Sequence, residues 1–286
     1  MHNIFKNEKL NNAFLKYGYV CIDLLTDTEI KALNTFYNNH KINAASGFHT
    51  THFSTDRKLK KSIHHYIIEQ VWPLLDRQLQ DFTPVFANFM IKEAHHESIM
   101  PLHADWTYVD ESKHLSIAAW IPLCDTNENN GTLGVIPFSQ HLSKNIRGPR
   151  ILQWEHPFND KIIEAAGKLI NMKAGQAIIY NHRLLHFSPP NKSNKVRPAL
   201  NLSIVPNNIE LIHYTIPEGF DQILKYKVEN QDFYLDYDNF KVPEKGELLE
   251  NLDKNIVNLL NNDLNNFLSK YHRKNIAEKI KRFFQT

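Results

Sequence analysis

Cysteine is nearly absent: Cys21 and Cys124 are the only two in 286 residues. They cannot build a disulfide framework, and they fit a reduced, cytoplasmic compartment. No apolar run approaches the ~20 residues that cross a bilayer, and the first ten residues lack the apolar stretch of a secretory leader. A membrane is therefore not an expected partner. Neither sign of charge dominates either. Lys and Arg total 33 against 31 Asp and Glu, a net charge of +2, which argues against a dedicated nucleic-acid surface. Internal repeats and low-complexity linkers are missing as well. What is present is an ordinary globular balance, 42% hydrophobic and 22% charged, able to bury a substantial core.

Along the chain, Leu10 to Tyr17 has the spacing of a short amphipathic helix, and Val20 to Leu24 that of a strand. Thr26 and Glu29 form a Thr-x-x-Glu capping box that opens a helix to about Asn39. Lys41 to Asp56 shows no period and is expected to be a loop serving as a lid over bound substrate. A long helix follows, with Ile63, Ile67, Val71, Leu74 and Leu75 on one face and Pro73 as a possible kink.

From Pro84 to Pro217 the texture changes to short apolar runs cut by turn residues. Strands are expected at Val85–Ala94, Leu115–Leu123, Thr132–Ile136, Gln176–Tyr180, Val196–Val205 and Leu211–Ile216, as in a barrel or sandwich. The turn Asn127–Gly131 is placed as a hairpin would require. After Val242 a helical pattern returns through Leu248, Leu249, Leu252, Ile256, Leu259 and Leu260, and Arg273 to Arg282 reads as a basic amphipathic packing helix. The simplest parse is one domain over 1–286: helical and strand support in 1–83, a β core in 84–217 and a helical extension in 218–286.

His103 and Asp105 stand two positions apart, and on a strand both side chains would face one cavity. Two imidazoles and a carboxylate make the facial set of non-haem Fe(II) sites. The pair is weak evidence alone, because the sequence contains a second His-x-acid pair, His95 and Glu97. What separates the two is the downstream context. Gly175-Gln-Ala-Ile-Ile-Tyr180 leads to His186-Phe-Ser188-Pro-Pro-Asn191-Lys-Ser193, and Arg197 falls eleven residues after His186. Between them lie Trp120-Ile-Pro-Leu123 and Asn130-Gly131-x-Leu133-x-x-Ile136-Pro137-x-Ser139-x-His141.

In this ordered set, over roughly Tyr17 to Val205, the chain resembles the phytanoyl-CoA dioxygenase-like family of Fe(II)/2-oxoglutarate-dependent oxygenases. The resemblance implies a mainly β fold with flanking helices (α+β). Its core would be a double-stranded β-helix, a cupin-like jelly roll packed by N-terminal and C-terminal helices. It implies His103, Asp105 and His186 as metal ligands and catalytic centre, with Fe(II) as cofactor and 2-oxoglutarate and O2 as co-substrates. It implies Arg197 on the distal carboxylate of 2-oxoglutarate, which suits the rigid two-donor fork of a guanidinium. Ser188, Trp120 and Lys92 are expected near the co-substrate. The activity implied is a dioxygenase of the hydroxylase type. A carboxylate at position 105 favours hydroxylation over halogenation, since related halogenases carry Ala or Gly there.

Each residue also has a plainer reading. His186 and His182 could be hydrogen-bonded core histidines, with His182 lacking the downstream spacing of a ligand; Arg197 could serve an ordinary salt bridge. Trp106 and Tyr108 are expected to line the substrate pocket, although aromatic packing explains them equally. His49, His52, His64, His65, His95 and His96 are expected to be structural or solvent-facing, and His141 structural. Arg147 and Arg150 could meet an anionic group or be solvated. Two other classes compete with the oxygenase: a cupin-like metal isomerase or hydrolase without 2-oxoglutarate, and a non-catalytic metal-binding jelly-roll module. The substrate is expected to be a small molecule or a carrier- or peptide-tethered group.

Overall fold

The computed structural model describes residues 3–40, 47–95, 97, 99–142, 146–151, 159–257 and 269. The local signals in the sequence set the first boundaries. Asn7 caps α1 (Glu8–Tyr17) by accepting from the Leu10 amide, and Gly18 ends it at φ 85°, a left-handed backbone that glycine adopts without a Cβ clash. β1 (Tyr19–Asp23) follows. Thr26 and Glu29 close a reciprocal capping box on α2 (Asp27–Asn39). The stretch expected to be a loop contains β2 (Phe48–Thr50) and a 3-10 turn at Thr51–Phe53. Its first six residues, 41–46, lie outside the described residues.

The remaining elements are α3 (Arg57–Asp76), β3 (Phe82–Lys92), β4 (Met100–His103), β5 (Ile117–Pro122), β6 (Gly134–Val135), α4 (Asn159–Ala166), β7 (Lys168–Leu169), β8 (Gln176–Asn181), β9 (His186–Ser188), β10 (Arg197–Pro206), β11 (Leu211–Thr215), β12 (Gln222–Val228), α5 (Asp232–Asp236) and β13 (Glu247–Asp253). They form a six-stranded sheet ordered β1-β8-β5-β10-β3-β2, a four-stranded sheet ordered β4-β9-β6-β7, and a three-stranded sheet ordered β11-β12-β13. Every named pairing is antiparallel. The fold is a double-stranded β-helix whose sheets do not close into a barrel.

Strand alternation divides the large sheet into two working faces. Leu200, Leu202 and Ile204 of β10, Ala119 and Ile121 of β5, and Phe89 and Ile91 of β3 join Leu33, Ile67, Val71 and Leu75 of α2 and α3 in one core. Those four helical residues are fully buried, and a Leu75→Ala cavity there costs about 2–5 kcal/mol. The opposite face carries Trp120, Tyr180 and Ala199, which meet Val135 of the smaller sheet. Arg197, Asn201 and Ser203 share the parity of Ala199, so this inner face is where polar side chains enter the interior. On the smaller sheet, Leu102, Leu185 and Phe187 turn outward against Ile162 and Ala166 of α4. The alternate positions, His103 and His186, are left facing inward.

Two expectations are corrected. The Asn127–Gly131 turn is not a hairpin: β5 and β6 belong to different sheets, and the turn carries the chain from one to the other. Gly131 is required there, since at φ 75° a Cβ would lie 2.7 Å from the Pro189 carbonyl oxygen. The segment around Leu248 and Leu249 is a strand rather than a helix, pairing with β12 through Leu248↔Tyr226 and Leu252↔Ile223. The described part of the expected helical extension thus holds two strands, the five-residue α5 and a 3-10 turn at Lys254–Val257. Leu259, Leu260 and Arg273–Arg282 lie outside the described residues. No helix among the described residues is long and apolar enough to cross a membrane.

Candidate metal centre

β4 and β9 pair with a bulge between Met100 and His103, and the register places His103 opposite His186. Each ring is fixed in the same way. His103 Nδ1 donates to the Pro101 carbonyl at 2.8 Å and His186 Nδ1 to the Leu184 carbonyl at 2.9 Å. With the proton held on Nδ1, each Nε2 keeps its lone pair, the form in which histidine ligates a metal. Burial, joined by the neighbouring His186, pushes His103 down to about 4, so it stays neutral at physiological pH.

Asp105 lies just past the end of β4, not on the strand as the spacing suggested. Its position is set instead by its backbone: the amide donates to the His182 carbonyl at 2.9 Å, and the carbonyl accepts from Arg147 Nε at 2.6 Å. Asp105 Oδ1 lies 4.0 Å from His103 Nε2 and 3.6 Å from His186 Nε2. Burial raises the carboxyl, but His186, His182, His103 and a hydrogen bond from Tyr180 outweigh it and hold the carboxylate below its ordinary range. Asp105 Oδ2 is buried with no hydrogen-bond partner among the described residues, a state that costs free energy unless a cation completes it. One ligand atom from each residue lies within 4.8 Å of the others, and among the described residues this is the group able to hold a metal ion. The donor set, with two Nε2 atoms and a carboxylate converging, is of the kind that fits Fe(II).

Arg197 opens β10 directly opposite Lys92 of β3. It is 2% exposed, donates to the Met90 carbonyl at 3.3 Å, and lies 5.3 Å over the Trp120 ring. Its Nε has no partner, and no carboxylate among the described residues pairs with it. Burial lowers it to about 10, still charged. Lys92 is fully buried and donates to the carbonyls of Ser188 (3.0 Å) and Pro189. Burial and then Arg197 push it down to about 7. Ser188 Oγ donates to the Gly131 carbonyl at 2.9 Å, Asn191 Nδ2 to the carbonyls of Lys92 and Lys195, and Ser193 Oγ to Asn191 Oδ1. The Ser188-x-x-Asn191-x-Ser193 pattern is therefore a hydrogen-bonded loop joining the two sheets.

Other residues fall as follows. Trp106 packs edge-on against His52 at 4.9 Å and His213 at 6.1 Å. Tyr108 is buried and accepts from Ser203 Oγ at 3.2 Å. His182 is buried with Nδ1 on Ser116 Oγ at 2.8 Å and stands outside the triad. His64 accepts from the Ala87 amide, tying α3 to β3, and His95 is exposed. Ser139 Oγ accepts from the Leu185 amide, and His141 is exposed beside Gln140. Arg147 is not a solvated cation. It is buried, bidentate on Glu111, and Arg183 stands 3.8 Å from the same carboxylate. Tyr180 and the Arg147–Glu111 pair carry no motif of their own; only the alternation of Ile178 and Tyr180 hinted that Tyr180 faces inward.

The phytanoyl-CoA dioxygenase (PhyH) family matches this chain over residues 14–199, well over half of its length and spanning the triad and Arg197. The chain belongs to the phytanoyl-CoA dioxygenase family. Solved structures agree on the fold. The non-haem α-ketoglutarate-dependent carbocyclase SnoK from nogalamycin biosynthesis superposes with a TM-score of 0.53 at 17% identity, covering 72% of this chain and 86% of that one. The epimerase SnoN, in complex with Fe3+, α-ketoglutarate and nogalamycin RO, gives 0.52 at 14% identity, with 71% and 85% covered. HygX from Streptomyces hygroscopicus, with nickel and 2-oxoglutarate bound, gives 0.50 at 10% identity, with 71% and 88% covered. Among curated proteins none matches the chain. Family membership accounts for the order of motifs; the inward-facing triad and the buried arginine are this chain's own geometry.

Proposed function

We propose that this protein is an Fe(II)- and 2-oxoglutarate-dependent dioxygenase that hydroxylates an unactivated C–H bond of a small molecule. The observation that carries the reading is the pairing of an inward-facing two-histidine, one-carboxylate triad with a buried arginine that has no acidic partner among the described residues. His103, Asp105 and His186 would hold Fe(II), which together with 2-oxoglutarate supplies the activation of O2. Arg197 takes the distal carboxylate of 2-oxoglutarate on its unpaired donor edge, with the buried Lys92 amine beside it and Trp120 beneath it. Ser188 acts through its loop, holding the chain between His186 and Arg197. Tyr180 orients the Asp105 carboxylate. Trp106, next to Asp105 in sequence, and Tyr108 wall the substrate side and exclude water. SnoN and SnoK belong to a pathway making a small molecule, which supports that substrate class.

The test is oxygen consumption by Fe(II)-loaded protein with 2-oxoglutarate, with succinate quantified alongside. Release of one succinate per O2, rising when a substrate yields a product one oxygen atom heavier, is the expected result. Turnover of a substrate without succinate would favour the isomerase or hydrolase reading. Absence of O2 uptake by folded, metal-loaded protein would favour a binding module.

A further inference from the structure

Away from the triad, the 3-10 turn Thr51–Phe53, the first turns of α3 and the chain after α5 enclose a recess of about 170 Å³. That is the volume of roughly five or six waters at ~30 Å³ each, enough for a carboxylate or phosphate group and its first carbon atoms. Phe53 and Phe240, both half exposed, flank its open side with ring centroids 6.4 Å apart.

The charged groups around the recess pair with one another, with one exception. Arg57 meets Glu244 at 3.1 Å; Asp236 takes Lys61 and Lys245 at 2.7 and 2.5 Å; Asp238 takes Lys241 at 3.4 Å. Lys60 makes no ion pair among the described residues. It is 3% exposed, and its three donors have one acceptor, the Tyr237 carbonyl at 2.9 Å. Two more buried groups line the recess, the His52 ring and the Asn239 side chain beside it, and neither has a hydrogen-bond partner beyond the other among the described residues. Burial, with the charge of Lys60, pushes His52 down to about 3, so its ring is neutral and offers one N–H donor.

Asp238 and Asp236 act on Lys60 from the recess wall but form no ion pair with it, so the buried ammonium is only partly compensated. Here a small enclosed space lies beside it, next to a neutral donor. We propose that this recess binds the oxyanion of a small molecule, a carboxylate or phosphate group, with Lys60 as its counter-charge and His52 as a further donor. His52 also packs against Trp106, the neighbour of Asp105, so the recess shares a wall with the metal side of the protein. The oxyanion is accordingly the remote end of the substrate. That last step rests on the proposed function; the anion site itself does not.

The test uses the full chain, free of metal and of 2-oxoglutarate. Sodium phosphate and, separately, sodium acetate are titrated at constant ionic strength while the His52 ring resonances, assigned through His52→Phe, are followed by NMR. A saturable shift is expected with at least one anion. Affinity should fall at least tenfold in Lys60→Met, and equally in Asn239→Asp, which sets a carboxylate inside the recess; Asn239→Asp decides the matter if Lys60→Met does not fold. The shift should persist in Arg197→Met. Saturation by acetate alone assigns a carboxylate, and saturation by phosphate alone a phosphate ester. The proposal is overturned if neither anion shifts His52 saturably, or if both recess variants bind like wild type. It is equally overturned if binding is lost in Arg197→Met, which would put the anion in the co-substrate site. Since no metal is present, these outcomes are independent of whether the oxygenase reading holds.

Discussion

His103 and His186 stand directly across the β4–β9 ladder from one another, ring centroids 4.1 Å apart, each with Nδ1 tied to the carbonyl two residues before it. The ladder sets the spacing of the two donors, and the carbonyls set their tautomers. Asp105, held at both its amide and its carbonyl, supplies the third group. Most of the centre is thus built by main-chain hydrogen bonds before any metal arrives.

Removing a ligand should therefore end activity without unfolding the protein. Asp105→Ala and His186→Ala are each expected to abolish turnover, whereas Tyr180→Phe, which only loosens Asp105, should weaken Fe(II) binding roughly 10- to 100-fold. Metal titrations with circular dichroism controls check this; near-wild-type turnover in either Ala variant would remove the ligand assignment.

On the proposed assignment of Arg197 to the distal carboxylate, Arg197→Ala deletes a charge-assisted interaction of about 1.5–3 kcal/mol. The KM for 2-oxoglutarate should rise roughly 10- to 150-fold, and more than kcat falls. Arg197→Lys should restore only part of it, because an ammonium lacks the planar fork. Steady-state kinetics in 2-oxoglutarate decide; an unchanged KM would assign the arginine to packing against Trp120.

Glu111 neutralises buried Arg147 and lies close to Arg183. Truncating it leaves buried guanidinium charge uncompensated, a change that costs about 3–5 kcal/mol. Glu111→Ala should lower Tm by roughly 6–20 °C, and the double variant Glu111→Leu/Arg147→Met should recover much of the loss. Thermal unfolding of both variants tests it, and a double variant no better than the single would contradict it.

Buried histidines give the metal-free protein a defined acid limit. His52 and His213 are pushed by burial to about 3, and His64 and His182 to about 4, from an ordinary 6.5. Their folded values lie below the unfolded one, so the unfolded chain binds more protons. The stability they contribute is present above pH 6.5 and is lost as pH falls towards the folded values. Each adds a slope of up to about 1.4 kcal/mol per pH unit. Tm should hold steady above pH 6.5 and drop below it, less steeply in His213→Phe. A flat profile down to pH 4 would refute this.

Signals that act over three or four residues were legible in the sequence. The Thr26–Glu29 box and the α3 stripe appear where the pattern put them, and the apolar runs expected as strands overlap β3, β5, β8 and β10, with ends shifted by up to three residues. Features created by pairing were not. β4 and β9 are four and three residues long, too short to show a period, although they carry both histidines. Leu248, Leu249 and Leu252 have helical spacing, yet their backbone groups pair with β12, and tertiary pairing overrides local pattern. The Asn127–Gly131 turn has hairpin composition, but whether its flanking strands share a sheet depends on residues far along the chain. At the centre, the His-x-Asp spacing pointed to two residues that the structure brings together with His186, but for an imperfect reason: Asp105 is off the strand, and Arg147 and His182, invisible to any motif, hold it in place.

The central claim is tested most directly by anaerobic titration of the metal-free protein with Fe(II) and 2-oxoglutarate, watching for the visible metal-to-ligand charge-transfer band of the chelate. The account predicts that the band saturates at one equivalent of iron, is absent in His186→Ala, and needs far more 2-oxoglutarate in Arg197→Ala. Folded protein that binds iron and never develops the band would contradict it.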